Sequence, residues 1–242
     1  KYKIDIGDWQ NYTVPFSIPQ ENSHTVTYYS SDVLGNTEQA QTINVAVDST
    51  APMTTLIPST QLYNNEYASL STTYSLSSED PVISSVASGI KKTEYRIDTG
   101  DWQEWTDVAI TLTEGIHTID YRSNDNVNNL EQSKRFTVKV DNTKTESTLT
   151  VSSPKHEIEE KVYVSSITIC TVTTTDPVKE NVASGVKYLE YKVNFNNWQT
   201  KDAPVENYAL PIQLEEGVQT IYYRGSDNVN NTEQEKSQIL FV

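Results

Sequence analysis

The chain has 242 residues, with 18 basic and 33 acidic side chains and a formal net charge of −15. That balance lacks the basic footprint that nucleic acid or an anionic membrane surface requires, and no window approaches the roughly 18 consecutive apolar residues of a membrane span. A single Cys excludes an intrachain disulfide framework and a multi-Cys zinc site, while 15 Tyr, 4 Trp and 4 Phe are too many aromatics for a disordered acidic tail.

In chain order, the first recognisable element is Tyr2-Lys3-Ile4-Asp5-Ile6-Gly7-Asp8-Trp9-Gln10. It returns as Tyr95-Arg96-Ile97-Asp98-Thr99-Gly100-Asp101-Trp102-Gln103 and, more loosely, as Tyr191 through Gln199. A second block, Tyr121 through Gln132 with its Asp125-Asn126-Val127-Asn128-Asn129 turn, recurs as Tyr223–Gln234 and as Tyr28–Gln39. A third, Asp80-Pro81-Val82 followed by Ala87-Ser88-Gly89-Ile90, recurs as Asp176-Pro177-Val178 and Ala183-Ser184-Gly185-Val186. Self-similarity at this spacing, about 95 residues, defines domain-sized units rather than solenoid turns. The expected organisation is the C-terminal half of one repeat over 1–50 and complete repeats over 51–143 and 144–242. The third repeat has an extra loop around Ala203–Tyr208.

Period-two alternation places strands in the second repeat at Ile90–Asp98, Trp102–Trp105, His117–Tyr121 and Gln132–Val140, with an earlier one over Tyr67–Leu76. About seven short strands separated by frequent turn signals read as a two-sheet sandwich. The expected fold is therefore all-β, as tandem Ig-like antiparallel β-sandwich domains in an elongated array. Gly35, Asn128 and Asn230 coincide in the three copies, and these residue types tolerate a left-handed backbone, so a positive φ is expected there.

The run Ser88-Gly89-Ile90, Tyr95-Arg96-Ile97-Asp98, Trp102, Gly115 through Ser123, Asp125-Asn126, Asn129, Glu131 and Val140-Asp141-Asn142-Thr143 resembles bacterial and archaeal Ig-like surface repeats of the OmpL47 type. The resemblance extends over essentially the whole chain. It implies a non-enzymatic extracellular segment of a cell-surface, surface-layer or filament protein, with structural or adhesive duty. The alternative it implies is a set of carbohydrate-binding accessory modules of a secreted polysaccharide-acting enzyme.

The residues themselves point the same way. His24 and His117 are equivalent, yet the third copy has Gln219 there, which a metal ligand or general base does not survive. The expected role is a strand-start side chain facing solvent. Cys170, equivalent to Tyr74, reads as a small core residue. Trp9, Trp102 and Trp198 read as packing groups at a sandwich edge or core, with sugar stacking as the competing role. No nucleophile elbow or phosphate loop is present, and no catalytic residue is assigned.

The linker and loop acids are the one candidate site. On an Ig-like topology, Asp48 approaches Asp80 and Asp125 of the following repeat, and Asp141 approaches Asp176 and Asp227. Three carboxylates with neighbouring amides form the hard-oxygen set that Ca2+ prefers, so Ca2+ at interdomain junctions is expected. Expected partners are neighbouring repeats of a longer chain, other copies of the chain, surface glycans or other cell-surface proteins. Because Lys1 aligns near Glu94, the first copy lacks the counterparts of Pro52–Thr93. Either upstream sequence or another chain is expected to supply them, with a cut from a longer array favoured.

Overall fold

The computed structural model describes residues 1–205 and 208–242. The extra loop expected around Ala203–Tyr208 therefore lies partly outside the described residues. The first copy contributes β1 (Tyr2–Ile4), β2 (Asn22–Tyr28) and β3 (Gln41–Val47). The second contributes β4 (Met53–Pro58), β5 (Tyr67–Ser69), β6 (Tyr74–Glu79), β7 (Ile90–Ile97), β8 (Gln103–Glu104), β9 (Gly115–Asp125) and β10 (Lys134–Asp141). The third contributes β11 (Glu146–Val151), β12 (Lys155–Ile158), β13 (Lys161–Val164), β14 (Cys170–Thr175), β15 (Val186–Val193), β16 (Gln199–Asp202), β17 (Tyr208–Ala209), β18 (Val218–Asp227) and β19 (Lys236–Phe241). No described residue is helical, and no helix is long and apolar enough to cross a membrane.

The protein is all-β, built from sandwich-like domains. The sheets run β1-β2-β3, β4-β6, β5-β10-β9-β7-β8, β11-β14-β17 and β12-β13-β19-β18-β15-β16. Most ladders are antiparallel. Among the described residues, β5 pairs with β10 in parallel, matching Val140 with Ala68, and β13 pairs with β19 in parallel, matching Val162 with Leu240. Contacts divide the chain into two compact units. One comprises Lys1–Ile57, Ser75–Val108 and Ile119–Phe136, and the other comprises Pro58–Tyr74, Ala109–Thr118 and Thr137–Val242.

In the second unit the sandwich core is explicit. Val151, Cys170, Val172, Leu189, Tyr191, Val205, Leu210, Leu214, Ile221, Tyr223 and Leu240 form one buried cluster drawn from both sheets of the third copy. Alternate residues of β14 and β18 are buried, the period that a strand with one inward face dictates. The expected strand over Tyr67–Leu76 is two strands. A turn at 70–73 breaks the run; β5 then pairs with β10 while β6 pairs with β4. Leu70 accordingly faces solvent, whereas Tyr74 and Leu76 are buried.

In the first unit a charged group is buried on the outer side of the sheet. Asp120 on β9, its side chain 3 % exposed, accepts hydrogen bonds from Arg135 Nε at 2.6 Å, Arg135 Nη2 at 2.8 Å and Arg96 Nε at 2.9 Å. The Arg135 bonds, with help from Arg96 and against the cost of burial, hold its carboxyl down to about 2. The equivalent positions carry Thr27 and Tyr222, so this network belongs to the middle copy alone. Replacing Asp120 by Asn at pH 7 should cost about 2 kcal/mol, the scale of hydrogen bonds to charged groups. Because the folded pKa lies below the unfolded one, this contribution is present above about pH 4 and fades as pH falls toward 2. Urea unfolding of wild type and Asp120→Asn across that range should show the two curves converging in acid.

Candidate functional site

Each copy ends its central strand in the same turn, and a carboxylate fixes that turn. Asp125 Oδ1 accepts the amides of Val127 (3.0 Å) and Asn129 (2.8 Å), and its Oδ2 accepts the Asn129 side-chain amide (2.7 Å). Asp227 repeats this with Val229 (2.9 Å), Asn231 (2.8 Å) and the Asn231 side chain (2.7 Å). Asp32 does the same with Leu34 and Asn36. The turns require a left-handed residue immediately before the partner Asn: φ is 89° at Gly35, 72° at Asn128 and 70° at Asn230. An Asn at the Asp position would present one acceptor oxygen instead of two, which explains Asp in all three copies.

Two of the three turns are gripped by the preceding linker. Asn129 Nδ2 donates to the Asp48 carbonyl at 3.2 Å, and Asn231 Nδ2 donates to the Asp141 carbonyl at 3.0 Å. The linker carboxylates reach the following copy as well. Ser88 N donates to Asp48 Oδ2 and Ser184 N to Asp141 Oδ2, both at 2.7 Å. Gly89 N donates to Asp80 Oδ2 and Gly185 N to Asp176 Oδ2, both at 2.6 Å. The six expected aspartates therefore do assemble into two groups: one oxygen from each of Asp48, Asp80 and Asp125 lies within 4.8 Å of the others, and likewise for Asp141, Asp176 and Asp227. The first group lies wholly in the first compact unit and the second wholly in the second.

Like charges at this spacing perturb one another. Burial raises Asp176 to about 6, with the charges of Asp141 and Asp227 adding to the rise. Burial also raises Asp227, again with Asp141 opposing ionisation. Burial tends to raise Asp48 too, but hydrogen bonds from Ser88 and Thr50 outweigh it and leave it low. Asp80 Oδ1 and Asp176 Oδ1 are buried without a hydrogen-bond partner, as is the Ser184 hydroxyl oxygen. An uncompensated buried acceptor at the same place in both clusters is a cost that a bound cation would remove.

Sequence reasoning missed a second contact at each linker. Glu21 accepts the hydroxyls of Ser49 (2.9 Å) and Thr50 (2.8 Å). The equivalent Glu114 accepts the Thr143 hydroxyl and pairs with Lys179 at 2.5 Å. The signal was available, since Glu21 and Glu114 stand 93 positions apart like the other repeated residues.

His24 is not solvent-facing, as expected, but buried. Its Nδ1 meets Asp5 Oδ2 and its Nε2 the Gln20 carbonyl, both at 2.8 Å. His117 Nε2 reaches the Thr113 carbonyl (3.1 Å) and Gln219 Nε2 the Glu215 carbonyl (3.3 Å). Each nitrogen thus meets the carbonyl four residues earlier, a need that His and Gln meet equally. Asn194, equivalent to Asp5, donates to Gln219 Oε1 at 2.9 Å and accepts Thr220 N, just as Asp5 accepts Thr25 N. The third copy has therefore exchanged an imidazole–carboxylate pair for an amide pair in one geometry.

The tryptophans pack on the outer face rather than in the core. Arg96 and Arg122 lie 5.0 and 4.1 Å from the Trp102 ring centre, and Lys192 and Arg224 lie 4.5 and 4.6 Å from that of Trp198. Trp9 meets Lys3 at 5.3 Å and the edge of Tyr29 at 4.6 Å. Cys170 is buried in the core, and burial raises its thiol pKa. In the second unit, a cleft of about 850 Å³ is lined by Tyr63, Tyr67, Asn64, Asn142, Ser69 and Asn230, among others.

No protein-family model matches the sequence, and no curated protein matches it. Among solved structures the chain is similar to the fibronectin(III)-like modules of Clostridium thermocellum CbhA. The identity is 13 % and the TM-score 0.40, over 78 % of this chain and 94 % of that one. This is a distant, partial likeness to a β-sandwich module. In the β-sandwich domains of this chain, His24, Cys170 and the aspartates hold turns, strands and linkers.

Substituting His24→Ala should lower the thermal midpoint by a few degrees, and His24→Gln by less. The double variant Asp5→Asn/His24→Gln, which copies the third repeat, should recover most of the loss. A double-mutant cycle by calorimetry reads the coupling directly.

Proposed function

We propose that the chain is a structural, non-enzymatic segment of an extracellular protein, with repeats over 1–50, 51–143 and 144–242 and a cation-stiffened joint at each linker. The observation that carries this reading is the recurrence of one complete joint: linker Asp, loop Asp, turn Asp, clamping Asn and capping Glu stand in the same relation at both linkers. A joint reproduced in such detail serves the spacing and orientation of neighbouring repeats. Surface repeats of the OmpL47 type fit that duty, as adhesin, surface-layer or filament segments.

Calcium is the ion these joints suit best. Carboxylate and carbonyl oxygens are hard donors, and Asp80 Oδ1 and Asp176 Oδ1 are buried acceptors awaiting a partner. Thermal unfolding in millimolar Ca2+ and in EDTA tests the assignment. The midpoint should rise by several degrees with Ca2+, and Asp80→Asn with Asp176→Asn should abolish the rise. An equal midpoint in both buffers, for the wild type, would remove the ion from the joints and leave them as hydrogen-bonded hinges.

One feature favours the second reading, an accessory module that binds carbohydrate for a secreted polysaccharide-acting enzyme. The cleft beside Tyr63 and Tyr67 combines aromatic faces with amides and hydroxyls, the combination that sugar rings engage. Polysaccharide pull-down with Tyr63→Ala/Tyr67→Ala separates the two. Binding lost in that variant and kept in Trp102→Ala supports the accessory module, while no retention of the wild type supports the structural segment.

A further inference from the structure

We propose that the cleft of about 850 Å³ in the second unit takes an uncharged glycan, with Tyr63 as its stacking face and Gln61, Asn64 and Asn142 as its hydrogen-bonding groups. This rests on the carbohydrate-binding reading of the cleft and adds the chemical class of the ligand. All the lining residues belong to the one compact unit. The volume falls within the roughly 300–1,000 Å³ of small-ligand sites.

Charge selects the class. Sixteen described residues line the cleft and none is Asp, Glu, Lys, Arg or His, in a chain that is 21 % charged. The neighbouring ions have partners of their own. Lys139, which lies over the Tyr67 ring, pairs with Glu66 at 2.5 Å, and Lys187 Nζ donates to Asn230 Oδ1 at 2.8 Å. A uronate or a sulfate would give up hydration here with no lining cation to replace it. The hydroxyls of an uncharged sugar donate and accept at once, and so does a primary amide. Gln61, Asn64 and Asn142 are exposed amides of that kind. Tyr63, 37 % exposed, and Leu70, 42 % exposed, supply apolar surface for the C–H face of a ring.

Both walls are fixed before any ligand arrives. On one side Tyr63 and Tyr67 exchange two backbone hydrogen bonds of 2.9 Å across a turn whose Asn64 and Asn65 are left-handed, with φ of 51° and 57°. Thr60 and Thr72 join their hydroxyls at 2.9 Å, and Leu62 and Ala68 are buried beneath. On the other side Asp227 holds the amides of Val229 and Asn231, while Asn231 Nδ2 grips the Asp141 carbonyl at 3.0 Å. A site built this way spends little of its binding energy on ordering itself.

Affinity gel electrophoresis of the whole chain tests the class, with arabinoxylan, galactomannan and mixed-linkage β-glucan as uncharged probes and polygalacturonate and hyaluronate as acidic ones. Runs at about 0.05 and about 0.5 M NaCl separate cleft chemistry from repulsion by the protein's net charge, which the higher salt screens. The expected result is retardation by at least one uncharged glycan, equal at both salts, and none by the acidic glycans at either. Gln61→Ala/Asn142→Ala should weaken that retardation about tenfold, the worth of one or two hydrogen bonds, at an unchanged thermal midpoint. Gln61→Lys/Asn64→Lys should gain binding to polygalacturonate at the lower salt. Equal retention of acidic and uncharged glycans at about 0.5 M NaCl overturns the class and leaves the carbohydrate reading standing. Retention that survives both Gln61→Ala/Asn142→Ala and Tyr63→Ala overturns the site. Retention by none of the five glycans removes the carbohydrate reading itself, and the proposal with it.

Discussion

A carboxylate that collects backbone amides is the interaction from which the rest of this structure follows. Asp32, Asp125 and Asp227 each hold two backbone N–H groups and one side-chain amide of the turn that follows the central strand. The turn fixes where the last strand begins, and hence the register that brings Glu131 or Glu233 under the first strand. The clamping Asn then has an amide hydrogen left for the linker carbonyl. Turn, register and linker geometry are consequences of one charge-assisted cluster, which is stronger than its neutral counterpart. Removing the charge therefore disturbs more than one loop.

Much of this is legible in the sequence. Gly35, Asn128 and Asn230 predicted a left-handed slot from residue chemistry alone, and the backbone adopts it. The loop placement of an Ig-like topology predicted which carboxylates meet. What sequence reasoning lost were cases in which a long side chain has two plausible surroundings. His24 reads as a surface residue until Asp5 and Gln20 are seen to enclose it. Trp102 reads as core or platform until Arg96 and Arg122 occupy its vicinity. The break between β5 and β6 was hidden because Leu70, Tyr74 and Leu76 keep an even spacing across a turn.

The two joints share a plan but differ in degree. Asp141 is completely buried, whereas Asp48 remains partly open, and Lys179 supplies a cation to Glu114 that has no counterpart at Glu21, where Ile83 stands in the equivalent place. Burial raises Asp176 and Asp227 in the second cluster. The second joint is therefore the more enclosed at its linker carboxylate.

Asp141 is the last residue of β10, yet its carbonyl and carboxylate are both held by the next copy, through Asn231 and Ser184. One residue is thus counted in the folded state of two repeats. Melting the middle copy withdraws a partner from the third, and melting the third uncovers the end of the middle one. On the repeat boundaries proposed above, such an array would lose structure by nearest-neighbour propagation, with a free-energy term at each interface, rather than as independent beads. Its unfolding should then sharpen as repeats are added, a property fixed by the position of a single aspartate at a strand end.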